Sequence, residues 1–186
     1  MTDVGHRGLG NSYTKAENCS HQRENTISSL KNAYNHGADM VEFDVQLSKD
    51  KIPVIYHDFE LCTSSASKNG EQNLIPTQLK NLTLDQLRGL KIHHHFEIQN
   101  GLKEFTEESV EDHAFPTLEE ALKNIDESCG FNIELKWDMK LKDGTTECHF
   151  AFEINLFLDK VLEAVLEFGS RRKIVFSSFN PDVCTM

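Results

Sequence analysis

The sequence predicts an α/β fold on a mainly parallel sheet, and two observations carry that expectation. Segments with strand periodicity alternate along the chain with segments of helical periodicity, the order that lays helices against a parallel sheet. The strand segments also divide cleanly into faces. Val41, Phe43, Val45 and Leu47 are apolar, while Glu42 and Asp44 between them are acidic and share the opposite face.

Taken in order, Val4 to His6 reads as a first strand, ending at Gly8 and Gly10. A helix is expected from about Glu24 to His36, with Ile27, Leu30, Ala33 and Tyr34 on one face. Gly37 suits the left-handed position that stops it. The second strand spans Asp39 to Leu47 and the third Ile52 to His57, joined by a few residues around Asp50. Parallel strands need a crossover of about a dozen residues or more, so this junction reads as a hairpin that returns His57 toward Asp44 and Glu42. Asp58, adjacent to His57, would then point away from the same face, which suggests a turn or capping role.

Residues 60–115 read as an irregular, polar inserted lobe, with one short helix opened by the capping box Thr83-Leu84-Asp85-Gln86. Pro116-Thr117-Leu118-Glu119-Glu120 opens a further helix by the same device, running to about Asp126. Phe131 to Lys136 is a fourth strand, with Phe131, Ile133 and Leu135 on its apolar face. From Phe152 to Phe168 a stripe through Ile154, Phe157, Leu158, Val161, Leu162, Val165 and Leu166 predicts a core-facing helix stopped by Gly169. Lys173 to Ser177 is a fifth strand. Asn180-Pro181-Asp182 then announces another helix, with Asn180 as N-cap, a few residues before the sequence ends. Residues 1–186 therefore read as the N-terminal part of one domain, C-terminally truncated to about five strands.

Composition narrows the partners. With 19 basic and 30 acidic residues the formal net charge is -11, which argues against nucleic acid or an anionic membrane surface. The one basic cluster, Arg171-Arg172-Lys173, follows a helix whose C-terminus favours cations. The 5 cysteines are scattered without a CxxC pair, which suits free thiols in a reducing compartment, and a cytoplasmic location is expected. No secretory signal or membrane span is visible. His93-His94-His95 reads as a solvated loop, since consecutive residues do not converge easily on one ion.

Three places put polar groups on the inner face or C-terminal end of a strand: His6-Arg7, Glu42 and Asp44 with His57, and Glu134 with Lys136. In α/β sheets and barrels, that end is where active sites lie. Glu42, Asp44 and Glu134 offer three hard oxygen ligands, which suit a divalent cation, Mg²⁺ or Ca²⁺, rather than a thiolate-loving metal. Arg7 and Lys136 add the positive charge that a phosphate group calls for. Histidine is the side chain suited to proton transfer near neutral pH, so His6 and His57 can supply an acid and a base. Asn25, at the start of the first helix, could reach the phosphate. Metal-assisted cleavage of a phosphodiester is the chemistry this set suits.

His6-Arg7-Gly8, Glu24-Asn25-Thr26, Gly37 to Val45, Val54 to Asp58, Pro116 to Glu120, Asn132 to Lys136 and Ser177-Ser178-Phe179 together resemble, in order, the glycerophosphodiester phosphodiesterase family. The resemblance covers most of the chain, from Gly5 to Phe179. It implies a TIM-like (β/α) barrel of the phospholipase C-like phosphodiesterase type. It also implies hydrolysis of a small glycerophosphodiester, such as glycerophosphocholine, to glycerol 3-phosphate and an alcohol. By position, Glu42, Asp44 and Glu134 match the family's metal ligands, with Mg²⁺ preferred, and His6 and His57 match its acid/base pair. Arg7 matches a phosphate contact and Lys136 the strand-end lysine. The family's later strands and C-terminal tryptophan motif have no counterpart here, so an inactive fragment that only binds is one alternative, and unwanted association through open sheet edges is expected. Action on lysophospholipids is the other alternative.

Overall fold

The computed structural model describes residues 2–9, 23–66, 72–90, 92–93, 109–146, 148 and 152–185. In chain order its elements are β1 (Val4–His6), α1 (Ile27–Asn35), β2 (Met40–Leu47), β3 (Pro53–Ile55), β4 (Glu60–Ala66) and β5 (Gln72–Gln78). They continue with α2 (Leu84–Arg88), β6 (Ile92–His93), α3 (Leu118–Asn124), β7 (Gly130–Leu135), α4 (Ile154–Phe168), β8 (Ile174–Ser177) and α5 (Pro181–Thr185).

Strand β2 organises the sheet, and every one of its residues is buried. Val41, Phe43, Val45 and Leu47 enter the main apolar core with Leu30 of α1, Leu118 of α3, Phe131 and Ile133 of β7, and Phe157 of α4. The main sheet has 5 strands in the order β1-β2-β7-β8, with β3 paired to β2. The pairs along that path are parallel. β3 runs antiparallel, with Leu47 opposite Pro53 and Val45 opposite Ile55, which is the hairpin the short link demanded.

The register has a consequence for the site. β7 pairs with β2 from Met40 to Val45, so it holds one edge alone. β1 pairs with Met40 to Glu42 and β3 with Val45 to Leu47, so these two share the other edge. Along that edge β1 and β3 run toward each other. Their ends, His6 and the segment after Ile55, meet beside Glu42 and Asp44.

Several elements differ from the sequence expectation. The first helix starts at Ile27 rather than Glu24, because Thr26 is its N-cap and Asn25 sits in the left-handed region at φ 56°. The lobe is not irregular throughout: β4 and β5 form an antiparallel ladder from Glu60↔Gln78 to Ala66↔Gln72, and β6 adds to β4. Its polar strand residues gave no apolar alternation to read. The capping boxes of α2 and α3 form as expected, Thr83 with Gln86 and Thr117 with Glu120. On α4, Phe157 and Val161 are buried, but Leu162 and Leu166 are exposed, Leu166 by 85%. Ile154, Phe157, Leu158, Val161 and Val165 of that stripe pack on the core, and only Leu162 and Leu166 stand outside it. Cys129 is a buried free thiol and Cys184 an exposed one. His94 and His95 lie outside the described residues, as does the side chain of His93.

Arg172 is structural, though it caps a different helix from the one it follows. Its guanidinium donates to the carbonyls of Leu122, Ile125, Asp126 and Cys129 at 2.6–3.3 Å, closing the C-terminal end of α3, and lies 3.9 Å from the Phe131 ring centroid. Burial lowers its pKa from the usual arginine value.

The turn after β1 is pressed against α1. Leu9 N–H donates to Ser29 O, Asn25 N–H donates to Arg7 O, and Ser29 Oγ donates to Arg7 O. Gly8 has φ 78°, and a Cβ there would stand 2.5 Å from the Ser29 carbonyl carbon. Gly8→Ala is therefore expected to cost about 2–4 kcal/mol, combining a left-handed alanine with a backbone clash. Urea unfolding measures it, and an unchanged midpoint would mean that the turn moves freely off α1.

Candidate active site

The acidic cluster follows directly from strand geometry. Glu42 and Asp44 share the polar face of β2, and the parallel register sets Glu134 of β7 opposite Asp44. Ligand oxygens of the three carboxylates all lie within 4.8 Å of one another. Glu42 is 6% exposed and Asp44 1%. Buried acids this close repel unless cations or protons intervene.

Cationic and donor groups answer part of that charge. Arg7 N–H donates to Glu42 Oε2 at 2.9 Å, and Arg7 Nε lies 3.6 Å from Asp44 Oδ2. Asn25 Nδ2 donates to the same Asp44 oxygen at 2.9 Å. Lys136 Nζ stands 3.4 Å from Glu134 Oε1 and 4.0 Å from Asp44 Oδ1. His6 Nε2 lies 3.8 Å from Glu42 Oε2 and is otherwise exposed.

These contacts leave a remainder. Among the described residues, Glu42 Oε1 is buried with no hydrogen-bond partner, and so is Asn25 Oδ1. Burial first, and the Asp44 charge second, raise the Glu42 pKa from 4.5 to about 7. A donor set of three hard oxygens with an orphaned carboxylate oxygen fits a divalent cation.

His57 lies just past the last β2–β3 hydrogen bond, Tyr56 N–H to Asp44 O. Its Nδ1 meets Asp58 Oδ1 at 2.6 Å, so the expectation that Asp58 faces away is corrected. The strand ends at Ile55, and past it the chain leaves the extended conformation in which neighbouring side chains oppose each other. A carboxylate on Nδ1 fixes the tautomer in which Nδ1 carries the proton and Nε2 is left as the acceptor.

The expected residues thus gather around β2: His6, Arg7, Asn25, Glu42, Asp44, Glu134 and Lys136 through direct contacts, and His57 by its place at the end of β3. Sequence reasoning missed three neighbours. Glu24, 8% exposed, accepts from Arg7 Nη1 at 3.0 Å and holds the guanidinium. Asp58 orients His57. Gln46, next on the face of Glu42 and Asp44, donates to the carbonyls of Tyr56, His57 and Asp58 at 2.8–3.2 Å. Extending the alternation Glu42, Asp44, Gln46 by one step would have found the last.

Comparison with known proteins bears on this arrangement. The model of the glycerophosphoryl diester phosphodiesterase family matches residues 6–186. The chain belongs to that family. It is 45% identical over 195 residues to glycerophosphocholine phosphodiesterase GPCPD1 of Homo sapiens, covering 99% of this chain and 29% of the human protein. Against glycerophosphodiester phosphodiesterase GDPD3 of Arabidopsis thaliana it is 32% identical over 187 residues, 98% of this chain and 49% of the relative. Among solved structures, an Oleispira antarctica phosphodiesterase in complex with the product sn-glycerol-3-phosphate superposes with TM-score 0.63 at 26% identity, covering 100% of this chain and 60% of the other. A glycerophosphodiester phosphodiesterase from Agrobacterium tumefaciens gives TM-score 0.60 at 22% identity, covering 100% and 61%, and supports the fold. The chain thus spans under a third of the human relative, and its sheet is the open arc of a TIM-type barrel among the described residues. No described helix is long and apolar enough to cross a membrane.

The raised Glu42 pKa has a testable sign. Between about 4.5 and 7 the folded, metal-free protein binds this proton more tightly than the unfolded chain does, so stability falls as pH rises through that window. The fall attributable to Glu42 is about 3 kcal/mol. Denaturation in chelator should show that slope, and either Glu42→Gln or a saturating divalent cation should remove it. A slope that persists in Glu42→Gln would assign it to another group.

Proposed function

We propose that residues 1–186 form the N-terminal part of one glycerophosphodiesterase domain, with 60–115 as an inserted lobe, and that its site cleaves small glycerophosphodiesters. The products are glycerol 3-phosphate and an alcohol, and glycerophosphocholine is the favoured substrate. The observation that carries this reading is the cluster of Glu42, Asp44 and Glu134 set among Arg7, Lys136, His6 and His57. Family membership and the names of the relatives support it.

In this reading Glu42, Asp44 and Glu134 hold a divalent cation, a hard ion suited to three carboxylate oxygens, with Mg²⁺ preferred on the family resemblance and Ca²⁺ the alternative. When bound, it supplies positive charge that offsets the charge on the phosphate. Arg7, steadied by Glu24, contacts the phosphate oxygens, and Asn25 and Lys136 add donors. The attacking oxygen would form its bond to phosphorus while losing its proton to one imidazole, and the bond from phosphorus to the alcohol oxygen would break. The other imidazole gives that departing oxygen a proton. Asp58 holds His57 with Nε2 left as the acceptor for its share of this transfer. A cytoplasmic location belongs to the same proposal, on the cysteine pattern.

A second reading, binding without turnover, draws on the β8 end of the sheet. Val175, Phe176 and Phe179 are exposed there, by 43%, 39% and 72%. That apolar edge also favours association of the chain with itself.

Release of choline from glycerophosphocholine by the purified chain with Mg²⁺ separates the readings. The first expects turnover that chelator abolishes and that Glu42→Gln or His57→Ala lowers by about 10²–10⁴-fold. Unchanged rates in both variants would overturn it. Substrate binding with no turnover would favour the second. Preference for lysophosphatidylcholine would move the substrate class to longer lipids.

A further inference from the structure

We infer that Gln46 is a positioning residue for the His57–Asp58 pair, acting through the backbone that carries both. The inference rests on the proposed function for its kinetic consequence, while its structural content stands apart from it. Gln46 sits on β2 two residues beyond Asp44 and is 5% exposed. Its Nε2 lies 2.8 Å from Tyr56 O, 3.2 Å from His57 O and 3.0 Å from Asp58 O. An amide nitrogen carries two hydrogens, so three successive carbonyls share two donors.

The β2–β3 ladder does not reach these three carbonyls. The ladder between β2 and β3 runs only as far as Val45↔Ile55, and Tyr56 N–H reaches Asp44 O just beyond it. After that the carbonyls of residues 56 to 58 turn inward, where unpaired acceptors would be costly. Gln46 gathers them, and so curls the chain around a single nitrogen. The curl departs from the extended geometry that would set the two side chains apart, and it lets His57 Nδ1 meet Asp58 Oδ1 at 2.6 Å.

The hydrogen bonds of Gln46 Nε2 go to these carbonyls and not to the carboxylate cluster. The residue nonetheless occupies the same face as Glu42 and Asp44, so one strand fixes both the acidic cluster and the imidazole's orientation. The spacing between the cluster and His57 is thereby set by one rigid element rather than by a loop.

The test uses three variants of the 186-residue chain. Gln46→Met keeps the volume and removes the donors. Gln46→Glu is isosteric at neutral pH but presents oxygens to the carbonyls. Gln46→Lys keeps a donor nitrogen with three hydrogens. Nitrogen-15 NMR of the His57 side chain reads the hydrogen-bonded Nδ1–H directly, without need of turnover. The Met and Glu variants are expected to lose that protected signal, and the Lys variant to keep it. With glycerophosphocholine, kcat should fall about 10–100-fold in Met and Glu with KM within about twofold, as misplacement of a proton-transfer group predicts, and recover in Lys. A Met variant with native urea midpoint, native Nδ1–H signal and native kcat would overturn the inference. Should Met fail to fold, identical behaviour of Glu and Lys would overturn it equally. A native chain with the Nδ1–H signal intact and no turnover would count against the proposed function and leave Gln46's role standing.

Discussion

Strand β2 is buried on both faces and hydrogen-bonds to three neighbours, β1, β3 and β7, so its polar side chains, Glu42, Asp44 and Gln46, are shut away from bulk water. Everything near the site answers that constraint. Apolar residues on one face are satisfied by helices, which is ordinary packing. The polar face requires partners of opposite character, and they arrive from separate parts of the chain: Arg7 after β1, Asn25 before α1, Lys136 after β7, and three carbonyls after β3. One oxygen of Glu42 has no hydrogen-bond partner among the described residues, and burial together with the neighbouring Asp44 charge raises the pKa of the group.

The partners are held in costly conformations. Arg7 at φ 52° and Asn25 at φ 56° occupy the left-handed region, where non-glycine residues carry strain of about 1 kcal/mol or more. Both stand within hydrogen-bonding reach of the acidic cluster, and both are locked by backbone contacts between the β1 turn and α1. The strain thus falls where precise placement of a charge or an amide is needed, and the surrounding hydrogen bonds sustain it.

Local signals made much of this legible in the sequence. The faces of β2 and β7, the two threonine capping boxes and the short link around Asp50 each depend on residues close in sequence, so their spacing alone forecast them. The carboxylate cluster was legible because residues of one strand face must point together, and because Glu134 repeats the pattern on a second strand. What stayed hidden depends on distant partners or on departures from regular structure. The side chains of Asp58 and Gln46 were misplaced or overlooked because the chain curls after Ile55 rather than continuing extended. Arg172 finds the end of α3 some fifty residues back, as in its 3.3 Å contact with Leu122 O, and no local pattern marks that. The lobe sheet was missed since its strands are polar, and the Leu162 and Leu166 side of α4 was misread because helical periodicity reports an apolar stripe without saying what covers it.

The lobe leaves the main sheet after β3 and returns at α3, and its two ends are fastened together: Ile55 N–H donates to Pro116 O at 2.8 Å, and Val54 pairs with Thr117. A segment whose ends are already joined is entropically a closed loop. Doubling its length would cost only about 0.6 kcal/mol. Growth or shrinkage of this segment would therefore leave the register of β2 and β3, and with it the position of His57, essentially untouched. The register that sets the place of His57 and Asp58 is thus independent of how much chain is inserted between Ile55 and Pro116.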